Sequence, residues 1–178
     1  LEGYLIAIER YCELERHDPE VAFGLAGAYQ QNVFPFHALL AFRDAIERFP
    51  QFPKVEFAKK DANKIEALVP ELLDSLKLDG EGAFEVAILH EESQIAMRAR
   101  DYKRCRRALN EILQRRPDFV AASNNLSAID WIEGKPKQAI DRLTLLLERD
   151  SNNVHGVANL VRLLVTSGRF DDARRWTS

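Results

Sequence analysis

The sequence has few of the residues on which covalent cross-links and metal sites depend. Two of its 178 residues are cysteines, Cys12 and Cys105, and they form no CxxC pair. Two such cysteines do not make a disulfide framework, and no histidine lies close enough to either one in the sequence to suggest a metal site. We therefore predict no metal and no cofactor. The low cysteine content fits a reducing compartment, so we expect a cytoplasmic location.

Sequence motifs of catalysis are also missing. The chain has no glycine-rich phosphate loop, no GxSxG and no HExxH, and its four histidines are dispersed. His90, Glu91 and Glu92 form one local acid–base cluster. Because neighbours along a helix point in different directions, we interpret this cluster as solvated helix surface. The sequence therefore predicts that the protein is not an enzyme.

Neither charge nor hydropathy is extreme. The formal net charge is −3, with 46% hydrophobic and 30% charged residues, which is typical of a soluble folded protein. This balance argues against a general nucleic-acid binder, and no apolar run approaches the roughly 20 residues that cross a bilayer. The sequence begins at Leu1 without an initiator methionine or a signal pattern. We expect it to be a fragment of a larger protein.

A spacing of 34 residues recurs in the chain. It separates Gly134 from Gly168 and also Ala139 from Ala173. Self-similarity at such a period indicates a stack of like units, none of which can bury its apolar face without a neighbour. A stack of this kind is more typical of a recognition surface than of a catalytic pocket.

A copy nearer the start carries the fullest pattern. It consists of Ala22, Leu25, Ala26, Tyr29, Ala38, Phe42, Ala45 and Pro50. This order resembles the tetratricopeptide repeat, whose period is about 34 and whose signature places Leu-Gly, Tyr, Ala, Phe, Ala and a closing Pro in sequence. The resemblance implies an all-α fold, a right-handed α-solenoid of antiparallel helix pairs.

The resemblance also implies one solenoid over residues 1–178, with a helix of a preceding unit at 1–18. The units that follow would cover 19–52, a degenerate 53–85, 86–119, 120–153 and an incomplete 154–178. In the degenerate unit the periodicity weakens. There we predict a helical pair, with a first helix that Pro70 interrupts and a short second helix over 72–78. Apolar solenoid ends would allow self-association.

In tetratricopeptide proteins the first helix of each unit lines a concave groove. The resemblance therefore implies a protein-interaction scaffold that binds an extended peptide or a partner helix there, with no membrane insertion. A structural, self-associating or regulatory module of a larger multidomain protein is the alternative. Carried over position by position, the groove residues are Phe23, Gln30, His90, Gln94, Met97, Asn124, Asn125, Trp131, His155, Asn159 and Arg162.

Three features of these helices leave alternatives open. Asn125 and Asn159 share one repeat position, so their amides could grip a peptide backbone, or they could bond within their own helix pairs. Trp131 could anchor a ligand or hold adjacent units together. The basic run over 98–116 could dock an acidic protein, a phosphate or RNA, but we favour a solvated outer helix face, and so consider a nucleic-acid partner the weaker option.

Overall fold

The computed structural model describes the backbone of residues 2–177 and the side chains of residues 4–177. Within these residues it contains ten α-helices and no strand, which confirms the all-α prediction. The helices are α1 (Glu2–Leu14), α2 (Pro19–Gln31), α3 (Pro35–Arg48), α4 (Val55–Ser75), α5 (Ala83–Arg98), α6 (Tyr102–Arg115), α7 (Val120–Ile132), α8 (Pro136–Arg149), α9 (Val154–Thr166) and α10 (Phe170–Arg175). None of the helices in this described part is both long enough and apolar enough to cross a membrane.

The chain divides into two compact units, Leu1–Asp101 and Tyr102–Ser178. In the first unit, α1, α2, α3 and α4 each pack on the next helix, and α5 packs on α3 and α4. In the second unit, α6, α7, α8 and α9 each pack on the next helix. Packing between neighbours in sequence is the pattern of a helical-repeat solenoid, as the sequence predicted.

One turn recurs after the first helix of each repeat. Val33, Arg100, Gly134 and Gly168 all have a positive φ, at 63°, 58°, 74° and 73°. After each of them the next residue donates its backbone N–H to a carbonyl five residues back, as from Lys135 to Asp130 (2.8 Å) and from Arg169 to Leu164 (2.8 Å). This is a left-handed helix C-cap, a conformation that glycine adopts without strain. The 34-residue glycine spacing is therefore the spacing of this turn.

The predicted helical pair within 53–85 is wrong. The structure has a single helix there, α4, and Pro70 lies inside it. The buried stripe of α4 ends at Ile65, and Pro70 is exposed. The carbonyl that loses its hydrogen bond to the proline belongs to Glu66, an exposed residue, so water can solvate it. Residues 72–75, predicted to begin a second helix, are the last turn of α4.

A carboxylate from another helix caps the start of α3. Phe34, the N-cap residue, has no polar side chain to offer. Glu91 on α5 instead accepts hydrogen bonds from the backbone N–H groups of Phe36 (3.0 Å) and His37 (2.8 Å) and from His37 Nδ1 (2.9 Å). Glu91 and His90 are buried, so the interpretation of this cluster as solvated surface is wrong. An anion at a helix N-terminus satisfies otherwise unpaired N–H groups.

Glu92 on α5 adds a second acid to this contact, 3.5 Å from His37 Nε2. Burial alone would lower the pKa of His37, but its hydrogen bonds to Glu91 and Glu92 outweigh burial and raise the pKa to about 9. His37 is therefore a partly buried cation at neutral pH, paired with two carboxylates. The contact joins α3 to α5 within the first unit.

We predict that Val33→Gly stabilises the protein by about 1 kcal/mol, because a β-branched residue is strained at positive φ. Val33 is 79% exposed, so little packing is lost. Val165→Gly is the matched control. Val165 is also exposed but lies within α9, where glycine in place of valine should destabilise by about 0.5 kcal/mol. Urea denaturation of both variants measures these changes. A loss of stability in Val33→Gly would contradict the claim that Val33 is strained in the left-handed turn.

We also predict that stability falls with rising pH through His37. Its folded pKa of about 9 lies above the usual value of 6.5, so its contribution is complete below about pH 6.5 and is lost as the pH rises through 9. The expected loss in unfolding free energy is of the order of 2–3 kcal/mol between pH 6.5 and 9.5. Urea denaturation of the wild type and of His37→Gln over this range measures it. Equal slopes in the two proteins would refute the prediction.

Candidate functional site

A groove runs between α7 and α9 in the second unit. Its volume is about 330 Å³. Its lining residues are Asn124, Ser127, Ala128, Trp131, Ile132, Asn159, Arg162, Leu163 and Thr166. On each helix the lining residues recur three and four positions apart, so each helix contributes one continuous face. These are the first helices of two successive predicted repeats.

The helix α8 follows α7 and precedes α9 in the chain, and it holds these two walls in place. Leu143 and Leu147 of α8 pack in one buried cluster with Leu160 and Leu164 of α9. Gly156 lets α9 approach closely, since a Cβ there would lie 3.1 Å from Leu147 Cδ2. These contacts fix the spacing of the groove walls through apolar packing.

A buried ion network fixes α7 on its other side. Asp130 is fully buried, and its two carboxylate oxygens accept hydrogen bonds from Arg106 Nη2 of α6 (2.8 Å) and Arg142 Nε of α8 (3.0 Å). Arg106 also pairs with Glu133 (2.9 Å). Sequence reasoning missed Asp130. Its one available signal was an acid directly between Ile129 and Trp131 in an otherwise apolar helix segment.

The groove combines amide groups, one cation and an apolar floor. Asn124 Oδ1 is buried and accepts no hydrogen bond from any residue that the structure describes. Asn159 Oδ1 accepts a hydrogen bond from Arg162 Nη2 (3.3 Å), which leaves the Asn159 amide N–H groups available as donors. No acidic side chain is among the described lining residues, and Ala128, Ile132 and Leu163 supply apolar surface.

The predicted groove residues fall into three groups. Four of them, Asn124, Trp131, Asn159 and Arg162, line this groove. Asn125 and His155 lie on the same two helices but outside its lining. The other predicted residues lie on α2 and α5 of the first unit and are Phe23, Gln30, His90, Gln94 and Met97.

In the first unit, several of these side chains pack inward. Phe23 is buried and stacks on Phe52, with ring centroids 4.9 Å apart. His90 is buried, and its Nε2 lies 3.0 Å from Gln94 Nε2. Burial lowers the pKa of His90. Gln30 is exposed. Trp131 of the second unit lines the groove and also packs against the buried cluster of α8 and α9, so it contacts the next repeat, whereas its role as a ligand anchor stays a prediction.

A second concavity lies in the first unit, between α1 and α2. It has a volume of about 400 Å³ and is mainly apolar. Its lining residues are Tyr4, Ala7, Ile8, Tyr11, Glu20, Val21 and Gly24. Glu20 pairs with Lys54 (2.9 Å), so its carboxylate is already partnered. This surface offers few polar groups for orienting a ligand.

Comparison with known proteins confirms the resemblance over the end of the chain. The tetratricopeptide repeat family matches residues 131–178, a segment that includes Trp131, Asn159 and Arg162. No curated protein matches the sequence.

Two solved structures resemble the chain distantly. YrrB, a tetratricopeptide-repeat protein with an unusual peptide-binding site, matches at 12% identity and a TM-score of 0.48, over 96% of this chain and 88% of YrrB. The human IFIT1 dimer with PPP-AAAA matches at 16% identity and a TM-score of 0.46, over 98% of this chain and 44% of that one. Similarity at this level says nothing about the ligand of the present chain.

We predict that Asp130→Ala destabilises the protein by about 2–3 kcal/mol, because Arg106 and Arg142 each lose a charge-assisted hydrogen bond to a buried carboxylate. Asp141→Ala is the matched control. Asp141 lies on α8 and pairs with Lys137 (2.7 Å), but both side chains are exposed, so its removal should cost less than about 1 kcal/mol. Urea denaturation distinguishes the two. Equal losses would show that the Asp130 network does not hold α7.

Proposed function

We propose that this protein is a protein-interaction scaffold and that the groove between α7 and α9 binds an extended peptide. The tetratricopeptide-repeat match supports a protein-interaction scaffold in general terms, and folds of this kind are typically non-catalytic. The observation that carries the finer proposal is the lining of the groove. Each of its two walls carries one amide side chain, Asn124 on α7 and Asn159 on α9, beside apolar side chains.

An extended peptide backbone suits this lining. Each of its residues presents one N–H and one carbonyl. In our proposal the N–H and carbonyl groups of the peptide backbone bond to the side-chain amides of Asn124 and Asn159, and a backbone carbonyl also accepts from Arg162. Such contacts are independent of the ligand's side chains, so they supply affinity for many sequences.

The size of the groove limits the bound segment. From Asn124 to Ile132 the α7 wall advances eight residues, or about 12 Å along the helix axis. At about 3.3 Å per extended residue, this length holds roughly four residues of ligand. Trp131 and the apolar floor would receive one or two apolar side chains, and Arg162 favours an acidic group nearby.

The test uses a library of linear peptides displayed on phage and selected on the wild-type protein. The tightest peptide is then titrated into purified variants by fluorescence anisotropy. We predict that Asn124→Ala with Asn159→Ala weakens binding about tenfold or more, because two hydrogen bonds worth about 1 kcal/mol each are lost. Asn125→Ala is the matched control and should bind like the wild type, because Asn125 lies outside the groove lining.

Two outcomes would overturn the proposal. One is that no linear peptide is selected at micromolar affinity. The other is that selected peptides bind the double variant as tightly as the wild type, or lose more affinity in Asn125→Ala than in the double variant. Thermal melting of each variant separates a loss of binding from a loss of folding.

A further inference from the structure

The helix α6 carries an exposed polar stripe that the groove does not use. We call it the α6 stripe, and it consists of Lys103, Arg107, Asn110 and Gln114, all of them exposed. Steps of four, three and four residues keep these side chains on one side of the helix. The buried face of the same helix consists of Cys105, Ala108, Leu109 and Ile112.

This helix is strongly basic in a chain that is acidic overall. It carries five basic side chains and one acid, whereas the formal net charge of the whole chain is −3. Two of the basic groups are neutralised within the second unit: Arg106 pairs with Asp130 (2.8 Å), and Arg115 pairs with Glu111 (2.8 Å). The stripe therefore lies in a local positive field that favours an anionic partner.

Two cations in the stripe remain for such a partner. Within residues 4–177, Lys103 and Arg107 form no ion pair with an acidic side chain. They are four residues apart, so their positions on the helix differ by about 6 Å along its axis. Two carboxylates one helical turn apart would face them both.

The chemistry of the stripe favours a protein helix over a nucleic acid. Beyond the two cations, it continues with two neutral amides, and the shallow surface around it is lined by Lys103, Arg106, Arg107, Asn110, Glu111, Gln114 and Arg115. This lining contains no aromatic ring on which a base could stack, whereas single-stranded nucleic acids are held by stacking as well as by charge.

We propose that the α6 stripe docks an acidic helix of a partner protein. Glu or Asp side chains of that helix pair with Lys103 and Arg107, and its polar side chains bond to Asn110 and Gln114. The stripe extends about 16 Å along α6, so three turns of the partner helix cover it. This surface is separate from the groove between α7 and α9, and its occupant is recognised by charge and not by backbone contacts.

The test uses the whole chain and two synthetic alanine-rich helical peptides of equal composition. In one peptide four Glu residues follow at steps of four, three and four, and in the other they are scattered around the helix. We expect the wild type to bind the striped peptide at least fivefold more tightly than the scattered one. We also expect the affinity to fall as the salt concentration rises from about 50 to 200 mM.

Charge-reversal variants locate the contact. Lys103→Glu with Arg107→Glu should weaken binding of the striped peptide at least tenfold. The control, Lys60→Glu with Lys64→Glu, reverses two exposed lysines at the same spacing on α4 and should have less than a twofold effect. Asn124→Ala with Asn159→Ala should leave this binding unchanged, so the groove and the stripe are tested separately.

Three results would overturn the proposal. They are equal binding of the striped and scattered peptides, equal losses in the two charge-reversal variants, and tighter binding of a single-stranded RNA oligonucleotide than of the striped peptide at the same salt concentration. Circular dichroism melting checks that the variants fold, which the exposure of all four substituted side chains leads us to expect.

Discussion

The left-handed turn after the first helix of each repeat is the constraint on which the structure depends. It reverses the chain within a few residues, so the helices on either side of it, such as α7 and α8, lie against each other. The same turn follows α9, one period later. Because the turn is reproduced at the same place in each repeat, the first helices of successive repeats present comparable faces.

The groove follows from this repetition. With α8 packed behind them, α7 and α9 face one another at a spacing set by Leu143, Leu147 and Gly156. The ion network around Asp130 then orients α7 from its other side. The amides of Asn124 and Asn159 are thereby held on rigid helices, which is the kind of support that an orienting polar group needs.

Much of this could be read from the sequence, because the turn and the small packing residues depend on local chemistry. The period and the all-α fold were predicted correctly, and four of the predicted groove residues line the groove between α7 and α9. The pairing of Asn125 with Asn159 stays a prediction. Asn125 and Asn159 are equivalent within the repeat, but Asn124 lines the groove instead of Asn125. The two walls use overlapping but shifted faces of equivalent helices, since Ala128 and Arg162, which are 34 residues apart, both line the groove. Equivalence by repeat position does not say which side of a helix meets its neighbour.

The other differences come from contacts between residues far apart in the chain. Glu91 caps a helix that begins more than fifty residues earlier, and no local pattern indicates a bond of that kind. Asp130 is buried only because Arg106 and Arg142 reach it from two other helices. In α4, Pro70 is tolerated because the packed stripe ends before it, and this depends on what α4 packs against.

The central claim is that the groove between α7 and α9 binds an extended peptide. Its most direct measurement follows the two tryptophans by ¹⁵N–¹H NMR. The sequence contains Trp131 and Trp176, and only Trp131 lines the groove. On saturation with a selected linear peptide, the account predicts that the indole N–H resonance of Trp131 shifts, together with the side-chain amide resonances of Asn124 and Asn159, while the resonance of Trp176 stays in place. A shift of Trp176 alone, or no shift at Trp131 in the presence of bound peptide, would contradict it.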